Sequence, residues 1–362
     1  MNLEKARETV EAAIREGRIS GCVLSVGFRG EIVGEFPAGQ AGVEPHAKMA
    51  ATTLFDAGTL TEPLATVSIF AKLTAEMKLN LNAPVARSWP EFAEEGKEKV
   101  SVRHLLKHTS GLPAEAPYWQ ELMQGHSDWV RTERGRDFIL GKLASEQLEY
   151  PPTYSLVRSE LGYMALGHLA ERLAGENLQS IFASSVASPL SLSSARFSPL
   201  PEGAGDCAAS GPCPHRGGIL SGEPANMNAW AMGGQAGHSG LFITASDAAR
   251  VGLGWAASLA GSGGWMDQSV ASDFIGPKAK YKMGWEMPSR DKPECGALFS
   301  PSTIGHVSKT GASLWVDLDA GIAVAFFATF LSGVPAWDPA SVGSFSELLP
   351  AVHDAVRSEM PS

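Results

Sequence analysis

The fold of this chain is decided by the stretch Val100-Ser-Val-Arg-His-Leu-Leu-Lys-His-Thr-Ser-Gly-Leu-Pro113. Of all the strings in the sequence, it is the most specific indicator of the fold. It follows a segment, 59–77, in which apolar residues recur at steps of three and four. That spacing predicts a largely buried helix. The string Leu79-Asn-Leu-Asn-Ala-Pro-Val85 lies between the two. Beyond Pro113 the pattern is mainly helical with long loops to about residue 250, so the quoted string opens a helical middle section.

Strand patterns flank this helical section on both sides. Residues 21–36 predict a hairpin with its turn at Arg29-Gly30, and Ser313–Asp317 with Ile322–Thr329 predict a second one. An amphipathic helix precedes the first hairpin, and a helix over 345–360 closes the chain. The two chain ends are therefore expected to build one sheet.

These patterns predict an α/β (α+β) fold. An antiparallel sheet, flanked by N- and C-terminal helices, should accompany a mainly helical subdomain. Residues 1–58 and 255–362 are assigned to the sheet subdomain and 59–254 to the helical one, and the two together form one domain. A chain of 362 residues with 44% hydrophobic residues can bury a core of that size.

Charge and hydropathy exclude several classes of partner. The formal net charge is −10 and no basic run occurs, which argues against nucleic acid or an anionic membrane surface. The N-terminal segment has the charges of an amphipathic helix and lacks the apolar stretch of a signal peptide. The apolar run 321–330 is too short to span a bilayer. We expect a soluble, cytoplasmic protein, provided that the chain begins at its natural start.

The four cysteines do not suggest a disulfide framework in a chain of this length. Cys207 and Cys213 lie near His215, and Cys295 could complete a metal site. The spacing is not that of a zinc site, so we interpret these residues as loop thiols and expect no metal and no cofactor.

Several strings, in the same order, resemble the class C-like branch of the serine β-lactamase and penicillin-binding protein superfamily, which includes esterases and peptidases. They are the two strings quoted above, Leu161-Gly-Tyr-Met-Ala-Leu-Gly167, the glycine-rich segments 216–223 and 228–242, and Leu314-Trp-Val-Asp317. The resemblance covers nearly the whole chain and implies a β-lactamase/DD-peptidase-like fold. Fold alone does not establish function.

The resemblance implies a serine nucleophile and a lysine one helical turn later, but these positions hold Thr59 and Glu62. The threonine methyl crowds attack, and ionised Glu62 would oppose an oxyanion. We interpret Thr59 as a helix N-cap and Glu62 as an ordinary first-turn acid, with an active Thr59 as the alternative. The exact Ser-x-x-Lys string, Ser289 to Lys292, lies in a polar loop and is interpreted as accidental.

The family's second motif, a tyrosine followed two residues later by asparagine or aspartate, is replaced by Arg158 and Glu160. A guanidinium stays protonated and cannot act as a base. Tyr154 could reach the cleft only if the loop is remodelled. Because the resemblance implies that the side chains at positions 62 and 158 converge on the nucleophile, we predict a salt bridge between Glu62 and Arg158.

The third motif, Lys-Thr-Gly or His-Thr-Gly, permits two registers. Counted from Leu314, His306-Val307-Ser308 occupies it, and we interpret the literal Lys309-Thr310-Gly311 as coincidental. His306 is either a cleft cation or hydrogen-bond donor, or a satisfied histidine at a strand end. We expect His238 in the glycine-rich segment to be structural. The candidate binding residues are Glu160, His306, Ser308, Lys309, Thr310 and Gly311.

Thr59, Glu62 and Arg158 are thus the altered catalytic positions, and they predict a β-lactamase-fold pseudoenzyme. Its role would be to bind an unidentified small molecule or protein, or to regulate one, without hydrolysis. The alternative is a weak hydrolase (esterase, peptidase or β-lactamase-like) with Thr59 as nucleophile. A third possibility is an interaction protein whose cleft is filled by side chains.

Overall fold

A computed structural model describes residues 3–42, 47–76, 78–198, 200, 206–291, 293–331 and 339–361. The α-helices are α1 (Glu4–Arg15), α2 (Ser68–Ala75), α3 (Val102–Leu106), α4 (Tyr118–Gly125), α5 (Glu133–Ala144), α6 (Glu160–Ala174), α7 (Leu178–Phe182), α8 (Met227–Ala231), α9 (Ala245–Ala260), α10 (Gln268–Ile275) and α11 (Pro339–Glu359). The strands are β1 (Gly21–Phe28), β2 (Glu31–Gly39), β3 (Phe55–Asp56), β4 (Arg196–Phe197), β5 (Ala209–Pro212), β6 (Ile219–Ser221), β7 (Leu241–Ile243), β8 (Ile304–Val307), β9 (Ala312–Asp317) and β10 (Ile322–Thr329).

The main sheet joins the two ends of the chain. Its five strands run in the order β2-β1-β10-β9-β8, and every pairing is antiparallel. β1 pairs with β10 from Gly21 opposite Thr329 to Phe28 opposite Ile322. The predicted hairpins therefore share one sheet, and the α/β fold class is confirmed. The division at residues 58/59 and 254/255 stays a prediction.

Both faces of this sheet are covered, which explains why β10 reads as an unbroken apolar run. Its side chains alternate between two clusters of buried residues, as the period of a strand requires. Ile322, Val324 and Phe326 pack in the cluster that contains α1 and α11 residues, and Ala323, Ala325 and Phe327 pack in the larger cluster that contains α9 residues. β8 forms the edge of the sheet, so its residues can reach a neighbouring cleft.

The predicted helix over 59–77 forms in three pieces. A 3₁₀ turn, Gly58–Leu60, leads into a π-helical segment, Glu62–Val67, and then into α2. Pro63 lacks a backbone N–H and stands at the start of the π-helical segment. Met77 lies outside the described residues. The closing helix begins at Pro339, earlier than predicted.

Within the described ranges, no helix combines the length and the hydropathy that a bilayer crossing would need.

A close backbone approach in β8 yields a stability prediction. A Cβ on Gly305 would lie 2.2 Å from the ring of buried Trp315 and 2.7 Å from the carbonyl oxygen of Leu314. Gly305→Ala should therefore lower the free energy of unfolding by about 1–3 kcal/mol, measured by urea denaturation. Gly343→Ala is the matched control, because a Cβ at Gly343 meets nothing within 4 Å and alanine favours a helix. Equal stability of Gly305→Ala and the wild type would contradict the packing described here.

Candidate active site

Five of the candidate residues line one cleft of about 340 Å³. They are Thr59, Glu160, Ser308, Lys309 and Thr310. Thr59 comes from the 3₁₀ turn, Glu160 begins α6, and the other three belong to the β8–β9 connection. Trp119 and Met227 add apolar surface to the wall. The fold thus gathers residues that are up to 251 positions apart, counted from Thr59 to Thr310.

Three side chains stand in a row at the edge of this cleft. The Thr59 hydroxyl oxygen lies 3.0 Å from Nε2 of His306, within hydrogen-bonding distance. Nδ1 of His306 lies 3.1 Å from Oε1 of Glu286. The Nδ1 contact is short but not aligned as a hydrogen bond, which is common in catalytic sites without substrate. A hydroxyl, an imidazole and a carboxylate in this order form the general arrangement of an activated nucleophile.

Thr59 is therefore not the N-cap that we expected from the sequence. Its hydroxyl forms a hydrogen bond with the His306 ring, and the N-cap residue of the 3₁₀ turn is Ala57. The 3₁₀ turn directs the threonine side chain towards β8.

Backbone pairing positions Glu286 beside the histidine. The N–H of Glu286 donates to the carbonyl oxygen of Gly305 at 2.7 Å, and the N–H of Gly305 donates back at 3.0 Å. The N–H of Val307 binds the Glu286 carboxylate. Gly305 and Val307, the two chain neighbours of His306, thus both form hydrogen bonds with Glu286 and fix it beside the imidazole. Sequence reasoning missed Glu286, because it lies in a loop and belongs to none of the family's motifs.

The surroundings keep His306 neutral. Burial lowers its pKa well below the usual value, and the nearby charge of Arg158 lowers it further. Since the Thr59 hydroxyl can donate to Nε2, the proton of the neutral ring belongs on Nδ1, facing Glu286. The free lone pair on Nε2 is then available to accept a proton from Thr59.

The predicted salt bridge between Glu62 and Arg158 is wrong. The Arg158 guanidinium instead forms an ion pair with Glu286. The Arg158 side chain is 53% exposed and lines a second cavity, together with His306 and Glu286. Glu62 is buried below the start of the helix, so the two side chains do not meet.

Glu62 contacts His108 instead. Its Oε2 lies 3.4 Å from Nε2 of His108, and the N–H of Ser159 donates to Nδ1 of that ring at 3.1 Å. Burial raises the pKa of Glu62 well above its usual value and lowers that of His108 to about 3. Glu62 does lie in the first turn, as expected, but it is buried and its pKa is raised, so it is not an ordinary acid. In its protonated form it places no negative charge beneath Thr59.

Glu160 belongs to a polar chain that reaches into the core. Its Oε2 accepts from the side-chain amide of Asn226 at 2.8 Å, and Oδ1 of Asn226 lies 3.1 Å from Nε2 of His238. Burial, together with the charge of Glu62, raises the pKa of Glu160 to about 7. His238 is fully buried, and its link to Asn226 is a structural role.

The remaining candidates lie around this centre. Lys309 and Thr310 form the turn between β8 and β9, and both face the cleft. Gly311, with a φ of +88°, closes that turn by donating its N–H to the carbonyl oxygen of Ser308. Tyr154 is 75% exposed and does not replace the family's tyrosine. Lys292 of the Ser-x-x-Lys string lies outside the described residues.

Cys213 and His215 line the cleft. Across the described part of the chain, no cluster of three or more histidine, cysteine, aspartate or glutamate side chains could hold a metal ion.

Comparisons with known proteins agree with the fold. A family model described as Beta-lactamase matches residues 6–340. An N-acetylmuramyl-L-alanine amidase of Bacillus subtilis (strain 168) is 26% identical, and the match covers 98% of this chain and 89% of the relative. The solved structure titled "EstCE1, a hydrolase with promiscuous acyltransferase activity" has a TM-score of 0.75 at 22% identity and covers 98% of both chains. A class C beta-lactamase has a TM-score of 0.74 at 16% identity and covers 100% of this chain and 98% of its own.

The raised pKa of Glu160 has a measurable effect on stability. The folded state holds this proton more tightly than the unfolded state, so the stabilisation is complete below about pH 4.5 and is lost as the pH rises through about 7. Between pH 4.5 and 8 the wild type should lose about 2–3 kcal/mol more of its unfolding free energy than Glu160→Gln. Urea denaturation at both pH values measures the difference. Parallel pH profiles would show that the folded state does not perturb Glu160.

Proposed function

The chain belongs to the Beta-lactamase family, and we propose that it is a hydrolase that transfers an acyl group from a small ester or amide to Thr59 and then to water. One observation carries the proposal: the Thr59 hydroxyl lies 3.0 Å from His306, which in turn lies 3.1 Å from Glu286. A nucleophile, a base and a group that orients the base are the parts that such a reaction needs.

The reaction follows from the positions of these atoms. The Thr59 oxygen attacks the carbonyl carbon of the substrate while its proton passes to Nε2 of His306. The carbonyl electron pair moves onto oxygen, and its return expels the alcohol or amine, which takes the proton from His306. Water then attacks the acyl carbon while one of its protons passes to Nε2 of His306. The bond between the acyl carbon and the Thr59 oxygen breaks, that oxygen takes the proton from His306, and the carboxylic acid is released. Atoms and charge balance without a cofactor.

Glu286 and Arg158 support the base. The Glu286 carboxylate stabilises the imidazolium that forms when His306 takes the proton. Burial raises the pKa of Glu286, and the Arg158 guanidinium opposes that rise. Arg158 is thus a positioning residue: it favours the ionised form of the carboxylate and does not itself contact the reacting atoms.

The rest of the cleft indicates the substrate class. Trp119 and Met227 offer apolar surface, and Lys309 offers a cation that can bind a carboxylate of the substrate. Thr310 stands beside Lys309 in the same wall. A small acyl compound with an anionic group fits these features. The physiological partner in this proposal is therefore a small molecule, and neither nucleic acid nor membrane takes part.

This proposal reverses the pseudoenzyme interpretation of the sequence. That interpretation rested on the loss of the family's serine, lysine and tyrosine, which leaves Thr59 without its usual base. His306 offers a base from β8 instead of from the helix. Relatives named as an amidase and as a hydrolase also favour hydrolysis over binding alone.

Substitutions at the three positions test the proposal. Thr59→Ala, His306→Ala and Glu286→Gln should each lower kcat/KM for p-nitrophenyl acetate by about 10²-fold or more, because each removes one part of the proton path. Thr59→Ser keeps the nucleophile and should keep activity. His126→Ala, a histidine that stacks on Trp129 outside the cleft, should leave turnover unchanged. Thermal unfolding confirms that each variant is folded. Wild-type turnover in Thr59→Ala would refute the proposal.

Arg158→Gln tests the supporting ion pair through the pH profile. Without the guanidinium, the pKa of Glu286 should rise further, and His306 should also accept a proton more readily. Both changes move the acidic limb of the pH profile of kcat/KM to higher pH. The variant should therefore lose more of the wild-type kcat/KM at pH 6 than at pH 8. Arg134→Gln removes an equal charge from the exposed surface beside Trp129 and is the control. An unshifted limb in Arg158→Gln would exclude this role.

A further inference from the structure

A cavity of about 760 Å³ lies apart from the cleft that holds Thr59. Within the described ranges, no residue lines both the cavity and the cleft. The walls of the cavity come from the C-terminal end of α9, from α10 and the segment after it, from the loop before β8 and from the turn between β9 and β10. We name it the α9–α10 cavity.

Apolar side chains form much of this wall. They are Ala256, Leu259, Ala260, Ile275, Pro277, Met287, Pro301 and Leu318. Met287 is 47% exposed, so part of this apolar surface is open to water. Covering such surface with an apolar group of a ligand releases water and favours binding. The cavity therefore suits a ligand with an apolar body.

Thr303 brings an unpaired hydroxyl to the same wall. The residue is 1% exposed, and its Oγ1 has no hydrogen-bond partner in the described part of the chain. A buried hydroxyl without a partner is destabilising, and such groups in folded proteins are normally paired with protein, ligand or water. Because Thr303 lines the cavity, a ligand bound there can supply the missing partner.

Lys282 supplies a cation. Its ammonium donates to the carbonyl oxygen of Gly276, which leaves two of its three donors for a ligand. Partial burial lowers the pKa of Lys282, and no neighbouring carboxylate opposes that shift. Asp319 also lines the cavity, but it is exposed, so water and salt screen its repulsion of an anion. An anionic group bound beside Lys282 would meet a positive charge that no ion pair neutralises.

We propose that the α9–α10 cavity binds a small carboxylate with an apolar chain, that is, a medium-chain fatty acid. A carboxylate has two oxygens, one to accept from the Lys282 ammonium and one to accept from the Thr303 hydroxyl. The chain then covers the apolar wall. This site goes beyond the proposed function, because neither Thr59 nor its cleft takes part in it.

Octanoate is the probe, and isothermal titration calorimetry measures its Kd. Lys282→Gln should raise that Kd by about tenfold or more, because it removes a charge-assisted hydrogen bond. Lys280→Gln removes an exposed lysine that lies over Tyr281 and outside the cavity wall, and it should leave the Kd unchanged. Octanol keeps the chain without the charge, and butanoate keeps the charge with a shorter chain. Each should bind at least about tenfold more weakly than octanoate.

Thr303→Val separates a ligand-binding role from a structural one. Valine has the shape of threonine without the hydroxyl. Because that hydroxyl has no protein partner, the variant should keep or raise the melting temperature of the free protein. It should still raise the octanoate Kd by about three- to tenfold. Thr74→Val is the control: it removes a hydroxyl that donates to the carbonyl oxygen of Phe70, outside the cavity, and should leave the Kd unchanged.

Three results would overturn the inference. They are no binding of octanoate to the wild type, equal affinity for octanoate and octanol, and an unchanged Kd in both Lys282→Gln and Thr303→Val. A Kd raised by Lys309→Gln instead would place octanoate in the Thr59 cleft and would also overturn it. The proposed function is judged separately, because Thr59→Ala should lose turnover and still bind octanoate as tightly as the wild type.

Discussion

The 3₁₀ turn at Gly58–Leu60 is held against the end of β8 by hydrogen bonds that join two distant parts of the chain. The N–H of Thr59 donates to the Ser308 hydroxyl, and the Thr59 hydroxyl forms a hydrogen bond with the His306 ring. The Thr310 hydroxyl donates to the backbone carbonyl oxygen of Asp56. A neutral hydrogen bond contributes only about 1 kcal/mol of net stability. Their main effect is geometric, because the distance between the Thr59 hydroxyl and His306 depends on how this turn meets the strand.

The site keeps little net charge in its interior. Burial raises the pKa values of Asp56, Glu62 and Glu160 and lowers those of the buried histidines, so each group shifts towards its neutral form. Burial raises the pKa of Glu286 as well, but the Arg158 guanidinium opposes that rise. A carboxylate beside a neutral imidazole can stabilise an imidazolium that forms during reaction. Burial thus favours the neutral form of these acids, and the ion pair with Arg158 favours the ionised form of Glu286.

The family's usual base position and the base proposed here come from different elements. The family resemblance implies a lysine one helical turn after the nucleophile, whereas His306 approaches Thr59 from the edge strand. With Glu62 in place of that lysine, the position holds a buried acid whose Oε2 lies 3.4 Å from Nε2 of His108. Such a change preserves the scaffold, because the sheet and its covering helices do not depend on the identity of the base.

The sequence alone determined the fold and the altered motif positions. The alternation of apolar residues at both chain ends identified the strands of the sheet. The spacing of the ordered strings placed Thr59 at the start of the helix and His306 on the edge strand. Only the tertiary structure decided which side chains meet. Glu286 pairs with both His306 and Arg158, and the predicted contact of Arg158 with Glu62 is absent. Periodicity reports which face of an element is apolar, whereas the partner of a polar side chain depends on loop backbone and on burial, which local sequence does not encode.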